Sequence, residues 1–217
     1  MKLGDDEIAV FPYQYDADLL EAAKSDGETK VAVYNFPEIA VVLGRGSSIQ
    51  KELNVDSILE DGVKVYRRMG GGCSVVLDPG NLIVSAVIPV EGLLDTKKWF
   101  NKCTNWLIDG LHSTGIDRVY HDGISDLVIS DRKIAGSAFY RMKGYAYYTV
   151  ALLVSPEIDL IEKYLKHPPR EPEYRLQRNH RDFVVALSEC YPDVSVNTLR
   201  GSFVKQLTVE GLLSVDG

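Results

Sequence analysis

Cysteine is scarce in this chain, and the little there is stands apart. Cys73, Cys103 and Cys190 form no CxxC pair, which argues against a zinc site and a disulfide scaffold and suits a reducing compartment. Long hydrophobic runs are missing too: nothing approaches the roughly 18 consecutive apolar residues of a membrane span. The N-terminal stretch MKLGDDEIAV is acidic and has no apolar run of signal-peptide length. Basic excess is also lacking. The formal net charge is −7, so general attraction to nucleic acid or to an anionic membrane is not expected, and a bound anion must be held by a local cluster of donors. Internal repeats and low-complexity tracts are absent. Together these gaps lead us to expect a cytoplasmic protein with no nucleic-acid or membrane partner and no protein-ligated metal.

What is present is an ordinary globular composition, with 45% hydrophobic and 25% charged residues over 217 positions. No linker divides it, so a single domain over 1–217 with a substantial core is expected. Residues 16–25 read as a short helix. KVAVY (30–34) and IAVVL (39–43) read as strands separated by a turn at NFPE, followed by a Gly/Ser turn, GRGSS (44–48), and a helical stretch near 55–60. VKVYRR (63–68), VVL (75–77) and NLIVSAVIPV (81–90) read as strands, the last two joined by Asp78-Pro79-Gly80. Apolar residues recur at helical spacing from Thr96 to Leu111, with Cys103 on that face. Residues 126–154 read as strands with tight turns at Asp131-Arg132 and Lys143-Gly144. Residues 166–180 read as a surface loop, and helical segments at 181–189 and 195–207 close the chain. Hairpins outnumber regular βαβ units, which points to an α+β fold with a mixed, largely antiparallel sheet and flanking helices.

Two stretches carry chemistry. The first is RRMGGGCSVVLDPGNL (67–82). Gly70, Gly71 and Gly72 leave the main chain bare, so a ligand can touch it directly, and their amides can form an anion-binding nest beside Arg67 and Arg68. No Gly-Lys-Ser/Thr follows and no GxGxxG spacing is present, so this is neither a P-loop nor a dinucleotide fingerprint. A tight strand connection with two surface arginines is the plain alternative. The second is DLVISDRKIAGSA (126–138). It places Lys133 at the start of a returning strand, ahead of the small-residue path Ala135, Gly136, Ser137 and Ala138. From there a lysine can reach over a ligand to a carbonyl or phosphate oxygen. An exposed hairpin lysine is the plain alternative.

In this order and spacing the two stretches resemble the catalytic domain of the lipoate–protein ligase A family, within the biotin/lipoate ligase superfamily. The resemblance rests on Arg67-Arg68, Gly70–Gly72, Asp78 and Gly80-Asn81, then Asp126-Leu127 and Arg132 to Ala138. NFPEIAVVLGRGSSIQKELN (35–54) and YRLQRNHRDF (174–183) are similar as well. It implies an enzyme that joins lipoate or octanoate to ATP as an acyl-adenylate and transfers the acyl group to a lysine of a lipoyl domain, in a 2-oxoacid dehydrogenase or the glycine cleavage H protein. It also implies that Lys133 is catalytic, that Arg68, the glycines, Cys73, Leu77, Gly136, Ser137 and Ala138 bind the acyl substrate, and that Arg67, Asp78, Asn81 and Asp126 bind nucleotide. Magnesium would bridge the phosphates.

The chain departs from the family pattern at three places. Cys73 stands where the family's glycine run continues, and Leu77 where a histidine precedes the Asp. The additional C-terminal domain of the full ligases finds no room before Gly217, which leads us to expect a separate small accessory subunit or a non-catalytic lipoate-binding relative. A further alternative is octanoyl transfer from acyl carrier protein on a cysteine. Tyr145 occupies the place where that class carries its nucleophile, leaving Cys73 as the thiol that could serve. The simpler reading of Cys73 is a small pocket-lining residue. His180 lies among Arg170, Arg175, Arg178 and Arg181, a cluster able to meet phosphate or an acidic partner domain, or simply to be a solvated loop.

Overall fold

The structure, a computed structural model, describes residues 8–90 and 95–215. Its strands are β1 (Val10–Pro12), β2 (Lys30–Asn35), β3 (Ala40–Leu43), β4 (Lys64–Arg67), β5 (Val75–Leu77), β6 (Asn81–Pro89), β7 (Val119–Asp122), β8 (Asp126–Ile129), β9 (Arg132–Met142) and β10 (Tyr145–Leu153). Its helices are α1 (Ala17–Asp26), α2 (Ile49–Glu52), α3 (Val55–Glu60), α4 (Thr96–Ser113), α5 (Ile158–Tyr164), α6 (His180–Phe183), α7 (Leu187–Cys190), α8 (Val196–Gln206) and α9 (Val209–Ser214). The strands form a small sheet in the order β1-β4-β3-β5 and a large one in the order β2-β6-β10-β9-β8-β7. Among the named strands, parallel pairing is confined to β4 with β1 and with β3. The rest is antiparallel, so the α+β expectation holds.

The large sheet alternates its faces strictly along β6. Leu82, Val84, Ala86 and Ile88 point into the main core, where they meet Cys103, Trp106, Leu107 and Leu111 of α4 and Leu199 and Phe203 of α8. Asp95 caps α4 by accepting the Lys98 amide at 3.0 Å. Cys103 is fully buried on that helix, and burial pushes its thiol up to about 12, as befits a packing residue. The opposite face of the same sheet carries α1, through Ala23 against Val87 and Tyr147.

β3 is buried on both faces. Val41 and Leu43 join a second core with Ile58, Ile161 and Tyr164, whereas Ala40 and Val42 meet Phe36, Leu77 and Ile83 between the two sheets. Here the structure departs from a local reading. β2 and β3 follow each other closely, as do β5 and β6, yet the members of each pair lie in different sheets. The turns at 36–39 and 78–80 are therefore crossings between sheets. The helical segment read at 181–189 is interrupted, because Val184 and Val185 straighten to pair with the main chain of Lys133.

Candidate active site

β4 delivers the chain into the glycine loop. The Arg68 amide donates to Leu43 O at 3.0 Å and the Arg45 amide to Gly70 O at 2.9 Å, so the loop is bonded to the GRGSS turn from its first residues. A Cβ at Gly70 would stand 3.1 Å from Ala138 Cβ and 3.5 Å from Tyr140 Cδ1. The loop thus lies against β9 of the large sheet. A Cβ at Gly44 would meet Gly72 O at 2.0 Å, so the two turns touch backbone to backbone.

One carboxylate fastens this arrangement. Glu52, 6% exposed, accepts from Ser47 Oγ at 2.9 Å, from Ser74 N and Ser74 Oγ at 2.7 Å each, and from Ser48 N at 3.3 Å. Burial alone would raise its pKa, but the Ser74, Ser47 and Ser48 donors outweigh burial and hold it below the usual Glu value. Arg68 completes the loop from beneath: Nη2 donates at 2.8 Å to both Gly71 O and Cys73 O, and Nη1 donates to Val42 O at 3.1 Å. Burial lowers its pKa, while Glu52 is among the anions that support its charge. The guanidinium is therefore the positive floor of the loop.

Lys133 reaches the same sheet face from the other side. A bulge at Leu127/Val128 shifts the β8–β9 register so that Asp126 opposes Gly136 while Lys133 opposes Val128. Lys133 Nζ lies 2.7 Å from Asp126 Oδ1, and the two side chains are 24% and 8% exposed. Tyr174 donates to Asp126 Oδ2 at 2.8 Å. Nζ would stand 2.9 Å from a Cβ on Gly136, so the ammonium lies across that glycine. Gly136 and Ala138 share one face by strand alternation, and Gly70 sits against Ala138 on it. Glycine loop, small-residue strand and lysine therefore border one strip of sheet. We expect Gly70→Val to overpack that strip by roughly 1–3 kcal/mol and to raise the KM for an acyl substrate with the fold retained; steady-state kinetics beside circular dichroism checks it.

Other expected site residues stand elsewhere. The Ser137 hydroxyl points away, donating to Ser125 O at 2.9 Å, because alternation sends it to the opposite face from its neighbours. Arg67 Nη1 donates to Gly44 O and Ser47 O at 3.0 Å each, which closes the GRGSS turn. Asp78 and Asn81 are 4% and 0% exposed. Asp78 accepts the Gly80 and Glu157 amides at 2.7 Å each, and Asn81 Oδ1 accepts the Asp78 amide at 2.8 Å. Both lock the turn at 78–81 through these bonds. Leu77 is core between the sheets. Cys73 is half-buried at the rim, its Sγ 3.6 Å from Arg170 O.

The arginine loop is also internally engaged. Arg175 is 4% exposed, donates to Arg178 O at 3.0 Å and faces His180 Nδ1 at 3.4 Å. Arg178 pairs with Asp131 at 2.9 Å, and Arg181 pairs with Asp159. Burial, then Arg175, push the His180 pKa below its ordinary value. These side chains build the loop that presents Tyr174. Glu52, Gly44 and Tyr174 escaped the sequence reading because each acts through a partner distant in sequence.

Among the described residues no group of three or more His, Cys, Asp and Glu side chains could hold a metal ion, and no helix is long and apolar enough to cross a membrane. The cross-strand carboxylates Asp122 and Asp126 stand at the lysine end of the site. Both Asp126 oxygens are already engaged, by Lys133 Nζ and by the Tyr174 hydroxyl.

Comparison with known proteins places this geometry in context. The chain is 29% identical over 168 residues to the lipoate-protein ligase LplJ of Bacillus subtilis (strain 168), covering 77% of this chain and 50% of that protein. It is 22% identical over 214 residues to lipoate-protein ligase A subunit 1 of Thermoplasma acidophilum, covering 94% of this chain and 77% of that one. It spans about half the length of the ligases from B. subtilis and Mycoplasma pneumoniae, 50% and 56%. Among solved structures, the bi-partite lipoate protein ligase of T. acidophilum superposes with a TM-score of 0.76 at 22% identity, covering 95% of this chain and 82% of that one. A lipoate-protein ligase A bound with ATP superposes with a TM-score of 0.76 at 21% identity, covering 97% and 87%. These superpositions establish the shared fold. The family model described as the lipoyl protein ligase A/B catalytic domain matches residues 9–208, nearly the whole chain, and this chain belongs to that family.

Proposed function

We propose that the protein activates lipoate or octanoate with ATP and passes the acyl group from the adenylate to a lysine of a lipoyl domain. The observation that carries this reading is the position of the Lys133 ammonium across Gly136, facing the strip bordered by the Gly70 loop. Adenylation brings a carboxylate onto the α-phosphate, so negative charge gathers between two anions before pyrophosphate leaves. A fixed ammonium there stabilises the transition state more than the separated reactants. Lys133 takes that role, with Asp126 and Tyr174 orienting it. Arg68 makes the loop floor positive, and the bare main chain of Gly71 and Gly72 leaves room beside it. Magnesium bound to the nucleotide phosphates would neutralise charge on the leaving group. The second step needs the incoming amine held in line with the acyl carbon, which is mainly positioning.

The relative from T. acidophilum is described as one subunit of a bi-partite ligase and was studied with its E2 lipoyl domain. That description supports a lipoyl domain as acceptor and a second subunit as helper; the acceptor we propose is the lipoyl domain of a 2-oxoacid dehydrogenase or an H protein, and the helper a small subunit. Exchange of labelled pyrophosphate into ATP, dependent on the added acid, tests the first step. The rival cysteine-based transfer is tested alongside it. We expect Cys73→Ser to leave exchange and lipoyl-domain acylation unchanged, because Sγ meets a loop carbonyl and no base is bonded to it. Acyl transfer from a thioester donor that disappears in Cys73→Ser, without exchange in the wild type, would overturn the proposal.

A further inference from the structure

The strip of sheet described above continues past Ala138, and its far end is polar. Asp16 precedes α1 without capping it. Its side chain turns instead onto the large sheet, where the residue is 7% exposed. Oδ2 accepts from the Tyr147 hydroxyl and from Ser85 Oγ, the latter at 3.1 Å. Ser85 Oγ is in turn 3.0 Å from Thr149 Oγ1. Oδ1 is buried and has no hydrogen-bond partner. The Tyr34 hydroxyl, engaged at 3.0 Å with Tyr13, favours the charged form without closing a bond to Oδ1. Burial raises the Asp16 pKa, and only hydroxyls of Tyr147, Tyr34 and Ser85 counter it.

Register places this carboxylate on the acyl strip. Ala138 pairs with Thr149 and Thr149 with Ser85, while Tyr140 pairs with Tyr147. Gly70 backs onto Ala138 and Tyr140. From Gly136, under the Lys133 ammonium, Ser85 is two strands across and two residues along, on the order of 12 Å. A buried carboxylate oxygen is rarely left unpartnered in a finished structure. Here the orphan atom belongs to a carboxylate at one end of this strip of sheet, and the reacting carboxylate would lie at the other end, beside Lys133.

We propose that Asp16, braced by Tyr147 and Ser85, selects the far end of the acyl chain by accepting a hydrogen bond from it. The substrate class is a medium-chain acid with a distal O–H, S–H or N–H donor, dihydrolipoate included, in preference to a plain fatty acid or the oxidised dithiolane. The inference rests on the acyl-site reading of this face.

Calorimetric binding of octanoate, 8-hydroxyoctanoate, oxidised lipoate and dihydrolipoate to the full chain tests it, with pyrophosphate exchange measured in parallel. The two donor-bearing acids are expected to bind up to about tenfold more tightly than their counterparts, the gain of one hydrogen bond made where none was. The preference disappears in Asp16→Leu. Should that variant fail to fold, Asp16→Asn and Tyr147→Phe carry the test, each narrowing the ratio. Octanoate binding as tightly as 8-hydroxyoctanoate in the wild type, or a preference that survives every Asp16 variant, overturns the proposal while leaving the acyl site intact. Absence of binding by all four acids together with absence of exchange overturns the acyl-site reading as well.

Discussion

Lys133→Met is expected to exchange pyrophosphate into ATP about 10²–10³-fold more slowly than the wild type, the usual loss on removing one preorganised donor to a developing negative charge. Methionine keeps the unbranched stem and removes only the charge. The ammonium is held by the 2.7 Å pair with Asp126 and lies over Gly136, where a side chain would displace it. Folding should survive, because Asp126 retains the Tyr174 hydroxyl at 2.8 Å. Arginine should not substitute, since its planar fork cannot occupy the space a point charge fills above Gly136. A Lys133→Met protein with undiminished exchange would remove this lysine from the chemistry.

Glu52→Ala is expected to destabilise the protein by about 3 kcal/mol, because it strands buried donors that now share one carboxylate. For a chain of this size that corresponds to a fall in Tm of roughly 2–4 °C for each kcal/mol. The functional loss should exceed the thermal one. Glu52 joins Ser47 and Ser48 of one turn to Ser74 at the end of the glycine loop, so its removal frees the loop that borders the acyl strip. The sign with pH follows from its depressed pKa. Its contribution is whole above the unfolded Glu value of about 4.3 and is lost as pH falls through the lower folded value. Glu52→Gln should therefore be less stable than the wild type at neutral pH, and the difference should close in acid. Thermal melts across that range check this; a constant gap at every pH would contradict it.

Local signals carried much of the fold. Apolar spacing along α4, the Lys143-Gly144 turn between β9 and β10 and the bare main chain at Gly70–Gly72 each show in consecutive residues. Pairing between distant segments does not. β1 joins β4 in parallel, a contact that neither strand's pattern records, and the short connections 36–39 and 78–80 look like hairpins while crossing between sheets. Short elements without a full period, β7, α5 and α9, left no readable signal.

The candidate site was legible in the same uneven way. Lys133 lies across Gly136, and Gly70 lies against Ala138 on the same strand face, while Arg68 is bonded within the glycine loop. Arg67, Asp78 and Asn81 belong to the same motifs and also close turns, a role that their sequence pattern does not separate from meeting a ligand. Ser137 is a different case: the period of a strand already places it opposite Gly136 and Ala138. Asp16 and Glu52 are set by contacts with Tyr147 and Ser74, far along the chain.

The central claim is that an acid on the strip between Gly70 and Ala138 becomes an adenylate. The most direct measurement is mass spectrometry of the quenched mixture of protein, ATP and acid. Acyl-AMP retained by the protein, with pyrophosphate released and no mass added to the chain, is the predicted result. No acyl-AMP and no pyrophosphate from that mixture, with an acyl thioester forming on Cys73 once an acyl-thioester donor replaces the free acid, would contradict it.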